Sequence, residues 1–327
     1  MEINIQSLKS LCFTHSVAGD TEEIIDYLQK RLSELKIKSQ ITSYGVLVFG
    51  NLQNPKIMIS AHADEIGFQV IKKNSDGTFM VNNSGHVTPV MLNNNHVYVK
   101  SDKGLVEGFF YSKKELGDNK PDHFTEIFLD TLDNDSINIG DFGSYSRVFN
   151  SKKDKVIATG LDNKTSVEMI LELVEENQSL LKDILFAFVT EEETTYDCIA
   201  GLSSLYKPEY ALVLDMLPVN QQSPTKAEAI PEMDKGPAIL FSMHSYHLHP
   251  KLKKLVKKLK SKFQYAFLDI DFPPEPQIVQ RNGITKGMNI FLPMLGWHNS
   301  CYTMKIKDYV KMKKLVLEIS QLLESYK

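Results

Sequence analysis

Lys56-Ile-Met-Ile-Ser-Ala-His62-Ala-Asp64 carries a compact apolar run straight into residues that bind metals or move protons. The same construction recurs twice. Ile184-Leu-Phe-Ala-Phe-Val-Thr190 runs into Glu191 and Glu192, and Tyr210-Ala-Leu-Val-Leu214 runs into Asp215. Unbroken apolar runs of this length read as strands buried on both faces, the signature of a largely parallel sheet covered by helices. In open α/β sheets ligands bind beyond the carboxyl ends of the strands, so these three endings are candidates for one crevice.

Working outward, Ile24, Ile25, Leu28, Leu32 and Leu35 follow helical spacing after a start that Asp20 or Thr21 can cap. From Val156 onward strand and helix patterns alternate: helices over Thr165–Glu176, Ile199–Tyr206, Lys251–Phe263 and Ile306–Tyr326, strands at Tyr210–Leu214 and Pro237–Phe241. The stretch between them is different. From about Phe68 to Lys155, β-rich pieces such as His96–Ser101 and Leu105–Tyr111 alternate with turn signals at Ser75-Asp-Gly77, Asp102-Lys-Gly104 and Gly117-Asp-Asn119. The expected fold is therefore α/β, with a mixed, mainly parallel central sheet flanked by helices. Residues 1–67 and 156–327 form that discontinuous domain, and 68–155 form an inserted small β-rich domain.

A length of 327 residues fits about two domains. With 37 Lys+Arg against 41 Asp+Glu, the net charge of −4 gives no global attraction for nucleic acid or an anionic membrane. Neither is expected as a partner. Cys12, Cys198 and Cys301, odd in number and far apart, make neither a disulfide framework nor a thiolate zinc site. They suggest a reducing compartment, and the first residues lack the basic and apolar regions of a secretory signal, so the expected location is cytoplasmic.

Two further residues join the three strand endings: Asp162 in Thr159-Gly-Leu-Asp-Asn-Lys164, just before a helix, and His298 in Gly296-Trp-His-Asn-Ser300. Two histidines with several carboxylates and no cysteine suit Zn²⁺, Co²⁺ or Mn²⁺. Taken singly, each has a plainer reading: a strand-end histidine in a structural hydrogen bond, Asp162 as a helix cap, an acidic pair facing solvent. The acidic pair is unusual directly after a buried strand, and the ordered combination is stronger than its parts. The histidines of His244–His249 lack carboxylate neighbours, and the lysines of Lys251–Lys262 form the solvated face of an amphipathic helix. Cys301, beside His298, lacks a thiolate-stabilising setting readable from sequence.

The combination resembles the co-catalytic dimetal aminopeptidases of the TET, or glutamyl aminopeptidase, type over nearly the whole chain. Ala61-His-Ala-Asp-Glu-Ile-Gly67 is similar to the family's HxDEIG segment, Gly160-Leu-Asp-Asn-Lys164 to its LDDR segment, and Val189-Thr-Glu-Glu192 to its VQEE segment. Asp215 falls at the next ligand, and His298, ten residues before Asp308, at the last ligand region. Ile127-Phe-Leu-Asp130 and Ile139-Gly-Asp141 resemble landmarks of the family's β-rich dimerisation domain.

The resemblance implies a zinc-peptidase-like fold and a metallo-aminopeptidase that removes the N-terminal residue of short peptides. It implies two divalent ions per chain, zinc first, with cobalt or manganese as alternatives. Asp162 bridges them, His62 and Asp215 complete one site, and Glu192 and His298 the other. Glu191 is then the general base and Asp64 the residue that orients His62. A homo-oligomer is implied as well, built from dimers through 68–155 and reaching a dodecamer. The chain departs from the family pattern at Asn163, Lys164, Thr194, Lys286 and Tyr302. Another amide, as in a deacylase, or peptide binding without turnover stay open as alternative functions.

Overall fold

A computed structural model describes residues 2–112, 121, 123–219, 230–270 and 273–325. Three parallel strands form its centre: Ile57–His62 lies between Ile184–Val189 and Tyr210–Pro218, and Tyr210–Pro218 pairs in turn with Lys286–Leu295. All six residues of Ile57–His62 and of Ile184–Val189 are buried, as strands covered on both faces require. Antiparallel strands extend the sheet, Leu47–Gly50 and Ser39–Ile41 at one side, Tyr302–Lys305, Lys155–Ala158 and Phe149–Lys152 at the other. The sheet is thus mixed, with a parallel core where the expected crevice lies.

Helices cover it. Leu161–Glu176 is almost wholly buried because it packs between the sheet and the helices Ile5–Phe13 and Ile306–Ser325. Glu22–Glu34 presents Ile24, Ile25, Leu28 and Leu32 inward, with Glu22 and Glu23 in its first turn and Arg31 in its last, both favourable to the helix dipole. The helix expected over Lys251–Phe263 stops at Val256; the chain turns there and returns as the strand Gln264–Leu268, although Leu259 and Phe263 still rest on the core. Among the described residues no helix is long and apolar enough to cross a membrane.

Gly67–Lys73, Phe79–Ser84, Ile127–Thr131, Gly104–Ser112, His96–Ser101 and Phe142–Tyr145 close into a small barrel with its own core of Phe68, Val81, Val97, Phe110 and Leu129. Closure removes the strand edges that an open sheet of this size would expose. The chain is back in the large sheet by Phe149–Lys152, inside the 68–155 span read from the sequence as the insertion. The turn expected at Gly117–Asn119 lies outside the described residues.

A buried polar knot joins barrel to sheet. Arg147 donates to both carboxylate oxygens of Glu65 and to the hydroxyl of Tyr98, which also meets His15 Nδ1 at 2.9 Å. Glu65 lies next to Asp64, so this knot fixes the segment that carries two of the candidate site residues.

Candidate metal centre

The parallel strands are in register at their carboxyl ends, with Val189 opposite His62. That register places His62, the glutamates after Val189 and Asp215 at one mouth of the sheet. Asp162 enters from the buried start of its helix. Gly160 makes that entry with φ +69°, and a Cβ there would come within 3.0 Å of Glu65 Oε2. Glycine is favoured on both counts. His298 completes the mouth from the turn after Lys286–Leu295.

His62 Nε2 lies 3.3 Å from Asp162 Oδ1, 3.6 Å from Asp215 Oδ1 and 3.8 Å from Glu192 Oε2. His298 Nε2 lies 3.5 Å from Glu193 Oε2, and its Nδ1 lies 2.8 Å from the carbonyl of His86. That bond, and the Trp297 ring stacked 4.2 Å from the imidazole, fix the ring so that Nε2 faces the cavity. Two donor triads result, His62–Asp162–Asp215 and Asp162–Glu193–His298, each with ligand atoms within 4.8 Å of one another and sharing Asp162.

The structure shifts one expectation. Glu191, read from the sequence as the base, does not reach the cluster. Its backbone turns through φ +64°, and its carboxylate accepts from Gly19 N at 2.9 Å and from the Thr194 hydroxyl at 3.1 Å. It holds the backbone at Gly19 and lies outside the cavity lining. Glu192 and Glu193 occupy the places expected of Glu191 and Glu192, and Glu193 joins His298 where Glu192 was expected. A run of three glutamates has no internal register mark, and the left-handed turn that decides the register is invisible in composition. Asp308 is also elsewhere, accepting from the backbone of Asp234.

Asp64 is fully buried, with Oδ1 3.5 Å from His62 Nδ1 and Oδ2 accepting from Glu193 N at 3.1 Å. The departures Asn163 and Lys164 hold backbone. Asn163 Nδ2 donates to the carbonyl of Leu214, next to Asp215, at 2.8 Å; Lys164 Nζ donates to that of Ala63, next to His62, at 2.9 Å. Lys164 also bonds the Ser16 hydroxyl, and Lys286 pairs with Glu209, at 3.6 Å, away from the cluster.

Electrostatics shows what the cluster lacks. Burial raises the pKa of Glu192, Glu193 and Asp215, and neighbouring carboxylates add to the rise. Burial opposes charge on His62, yet Glu192 with Asp162, Asp215 and Asp64 holds its pKa well above the ordinary value. Asp162 Oδ1, Asp64 Oδ1 and Glu193 Oε1 are buried without a hydrogen-bond partner. Acidic oxygens crowded beyond the cations available, with orphaned lone pairs and two imidazoles among them, are the donor set of a divalent-metal site.

The sequence did not single out Glu275. It opens the short helix Glu275–Val279, whose Pro276 sits on Gly287, where a Cβ would come within 2.6 Å of the Pro276 carbonyl. Burial, then the Asp215 charge, pushes its carboxyl up to about 8. Beside His86, Tyr196 and Asn289, much of the remaining cavity wall is apolar, with Met216, Met243, Leu268, Ile270 and Phe291 among its lining.

A parallel sheet that collects imidazoles and carboxylates beyond its strand ends is the framework of a metal-dependent hydrolase. The chain belongs to the M42 glutamyl aminopeptidase family, whose model matches residues 45–315. It is 22% identical over 325 residues to the lysyl aminopeptidase of Pyrococcus furiosus, covering 92% of this chain and 91% of that protein. Among solved structures, the TET aminopeptidase of a marine-sediment Thaumarchaeota archaeon superimposes with a TM-score of 0.88 at 18% identity, over 98% of both chains. The TET peptidase of Pyrococcus horikoshii, which assembles into a tetrahedron or an octahedral shell, does so with a TM-score of 0.84 at 20% identity, covering 97% of this chain and 98% of that one. The protein is thus a peptide-bond hydrolase, a metal-dependent aminopeptidase.

Proposed function

We propose that the protein removes the N-terminal residue of short peptides at a centre of two divalent ions that share Asp162. The two donor triads with Asp162 in common carry this reading. His62 and Asp215 complete one site, Glu193 and His298 the other. The mixed imidazole and carboxylate set favours zinc, with cobalt or manganese as substitutes. Two ions bound there supply a Lewis acid for the scissile carbonyl and acidify the attacking water.

The chain's own residues do the rest. Glu192 faces the cavity from between the two triads, so it takes the proton of the attacking water and returns it to the leaving amine. Asp64 holds the His62 ring in its ligating orientation through its backbone carbonyl, 3.2 Å from Nδ1, with its carboxylate 3.5 Å from the same nitrogen. The free cysteines Cys12, Cys198 and Cys301 suit a reducing, cytoplasmic setting. The barrel, with Leu105, Leu132 and Ile139 exposed on its outside, is the surface through which chains associate into a homo-oligomer.

A panel of aminoacyl-p-nitroanilides with added zinc, cobalt or manganese tests the activity. Metal analysis after reconstitution should approach two equivalents per chain. Saturation at one equivalent, unaffected by Asp162→Ala, would remove the shared ligand.

A further inference from the structure

Glu192, Asp215 and Glu275 form a second acidic group at the metal cluster, with one oxygen from each within 4.8 Å of the others. The proposed metal sites use Asp215, and the proposed base is Glu192. Glu275 has no task in that scheme. It is only 4% exposed, lines the cavity, and opens a helix wedged against Gly287, so its position is built in. The imidazole of His62 acts on its carboxyl, but that ring already faces Asp162, Asp215 and Glu192. Two divalent ions are balanced by the carboxylates of Asp64, Asp162, Glu193 and Asp215, which leaves the carboxyl groups of Glu192 and Glu275 on the substrate side with no further cation among the described residues to stabilise their charged form.

The cavity wall supplies an independent sign. Asn289 Oδ1 is buried without a hydrogen-bond donor, and Asn289 lines the same cavity as Glu275. The Asn289 oxygen lacks a donor, and the Glu275 carboxylate can accept one from the same ligand. A nitrogen held between three oxygens separated by no more than 4.8 Å lies within about 2.8 Å of each, the length of a charge-assisted N–H···O bond. An ammonium offers three such donors.

We propose that Glu275 receives the free α-ammonium group of the substrate, an inference that rests on the aminopeptidase reading of the neighbouring centre. The cation must be the α-ammonium and not a basic side chain. Glu275 stands against Glu192 and Asp215 at the reacting centre, and the α-ammonium is separated from the scissile carbonyl by a single carbon. The side chain of the N-terminal residue then faces Met243, Leu268, Ile270 and Phe291, an apolar wall. An internal or acylated peptide leaves Glu275 buried beside other acids without a cation, which disfavours its binding. Glu275 is on this account an amine-binding residue, distinct from the metal ligands and the base.

The test compares L-leucinol with 4-methylpentan-1-ol, which lacks only the amine; neither contains a hydrolysable bond. Calorimetric binding to zinc-loaded protein should favour leucinol by about 10- to 100-fold, as hydrogen bonds to charged groups do. Glu275→Gln should erase most of that preference, leave 4-methylpentan-1-ol binding unchanged and keep the wild-type zinc content. Glu275→Asp, which keeps the charge but withdraws it, should fall between and covers a poorly folded Gln variant. Equal binding of both alcohols by wild type, an unchanged ratio in Glu275→Gln, or zinc loss in that variant overturns the proposal. Hydrolysis of leucyl-p-nitroanilide by wild type separates the two readings. Turnover with an unchanged ratio sinks the amine seat alone, and an intact amine preference without turnover of any peptide sinks the aminopeptidase reading.

Discussion

Asp64 ties His62 to Glu193: one carboxylate oxygen lies 3.5 Å from the imidazole Nδ1 and the other accepts the Glu193 backbone N–H at 3.1 Å. One fully buried residue therefore sets a donor in each of the two triads, its backbone carbonyl, 3.2 Å from His62 Nδ1, reinforcing the carboxylate. Asp64→Asn retains the volume but replaces one acceptor oxygen by a donor, which cannot serve both contacts. Metal affinity should fall by about 10- to 100-fold, the usual cost of losing such a support. Competition with a graded chelator series reads it directly. Wild-type affinity for both ions in this variant would show that the geometry is fixed elsewhere.

The three consecutive glutamates should fail in three different ways. Glu192→Gln keeps size and polarity but cannot accept the water's proton, so kcat should drop by roughly 10²–10⁴-fold at unchanged metal content. Glu193→Gln should lower occupancy of one site, with partial recovery at high metal concentration. Glu191→Gln keeps an oxygen for the Gly19 N–H and should stay within a few-fold of wild type in kcat/KM. A loss of kcat in Glu191→Gln as deep as in Glu192→Gln would restore Glu191 as the base.

The parallel core was legible because its strands are unbroken apolar runs ending in ligand-type residues. Ile57–His62, Ile184–Val189 and Tyr210–Pro218 read as buried strands with endings for one crevice, while their order in the sheet came only from their pairing. Lys286–Leu295 was harder. It carries Asn289 and Pro293 within a buried strand, and a proline argues against a central position. The candidate site was legible to the same extent. His62, Asp162, Asp215 and His298 meet as the strand endings suggested, whereas Glu191 required a backbone angle at a single residue to be known. Glu275, in Pro273-Pro-Glu-Pro276, follows no apolar strand, and only the contact of its helix with Gly287 brings it to the cavity. Lys164 and Asn163 were departures from a motif in the sequence; in the fold they are hydrogen-bond donors to the backbone beside His62 and Asp215.

Glu65 gives the acid side of the stability profile. Burial alone would raise its pKa, but Arg147, then Lys164, outweigh that and lower it from 4.5 to about 2. A carboxyl with a depressed folded value contributes stability in full above its unfolded pKa and loses it as pH falls through the folded one. The window is therefore pH 4.5 down to about 2. The shift corresponds to roughly 3 kcal/mol at about 1.4 kcal/mol per unit. In urea titrations of metal-free protein, wild type should exceed Glu65→Gln in stability at pH 6. The gap should narrow steadily below pH 4.5. A gap constant across that window would mean that the pair with Arg147 does not govern Glu65.

The outer wall of the barrel gives the association prediction. Leu132 is 88% exposed and Leu105 54%, and the Leu132 N–H bonds the carbonyl of Glu107, two residues along from Leu105. Such side chains on neighbouring strands make an apolar strip that covering by another copy would bury, worth about 1.5–3 kcal/mol for each leucine fully removed from water. Light scattering of wild type at micromolar concentration should give a mass of at least a dimer. Leu105→Glu combined with Leu132→Glu places charge in that contact and should shift the distribution to smaller species. The melting temperature of the metal-loaded chain should change little, because neither side chain belongs to the barrel core. A wild-type monomer would refute association as such, and an unchanged mass in the double variant would move the contact to another face.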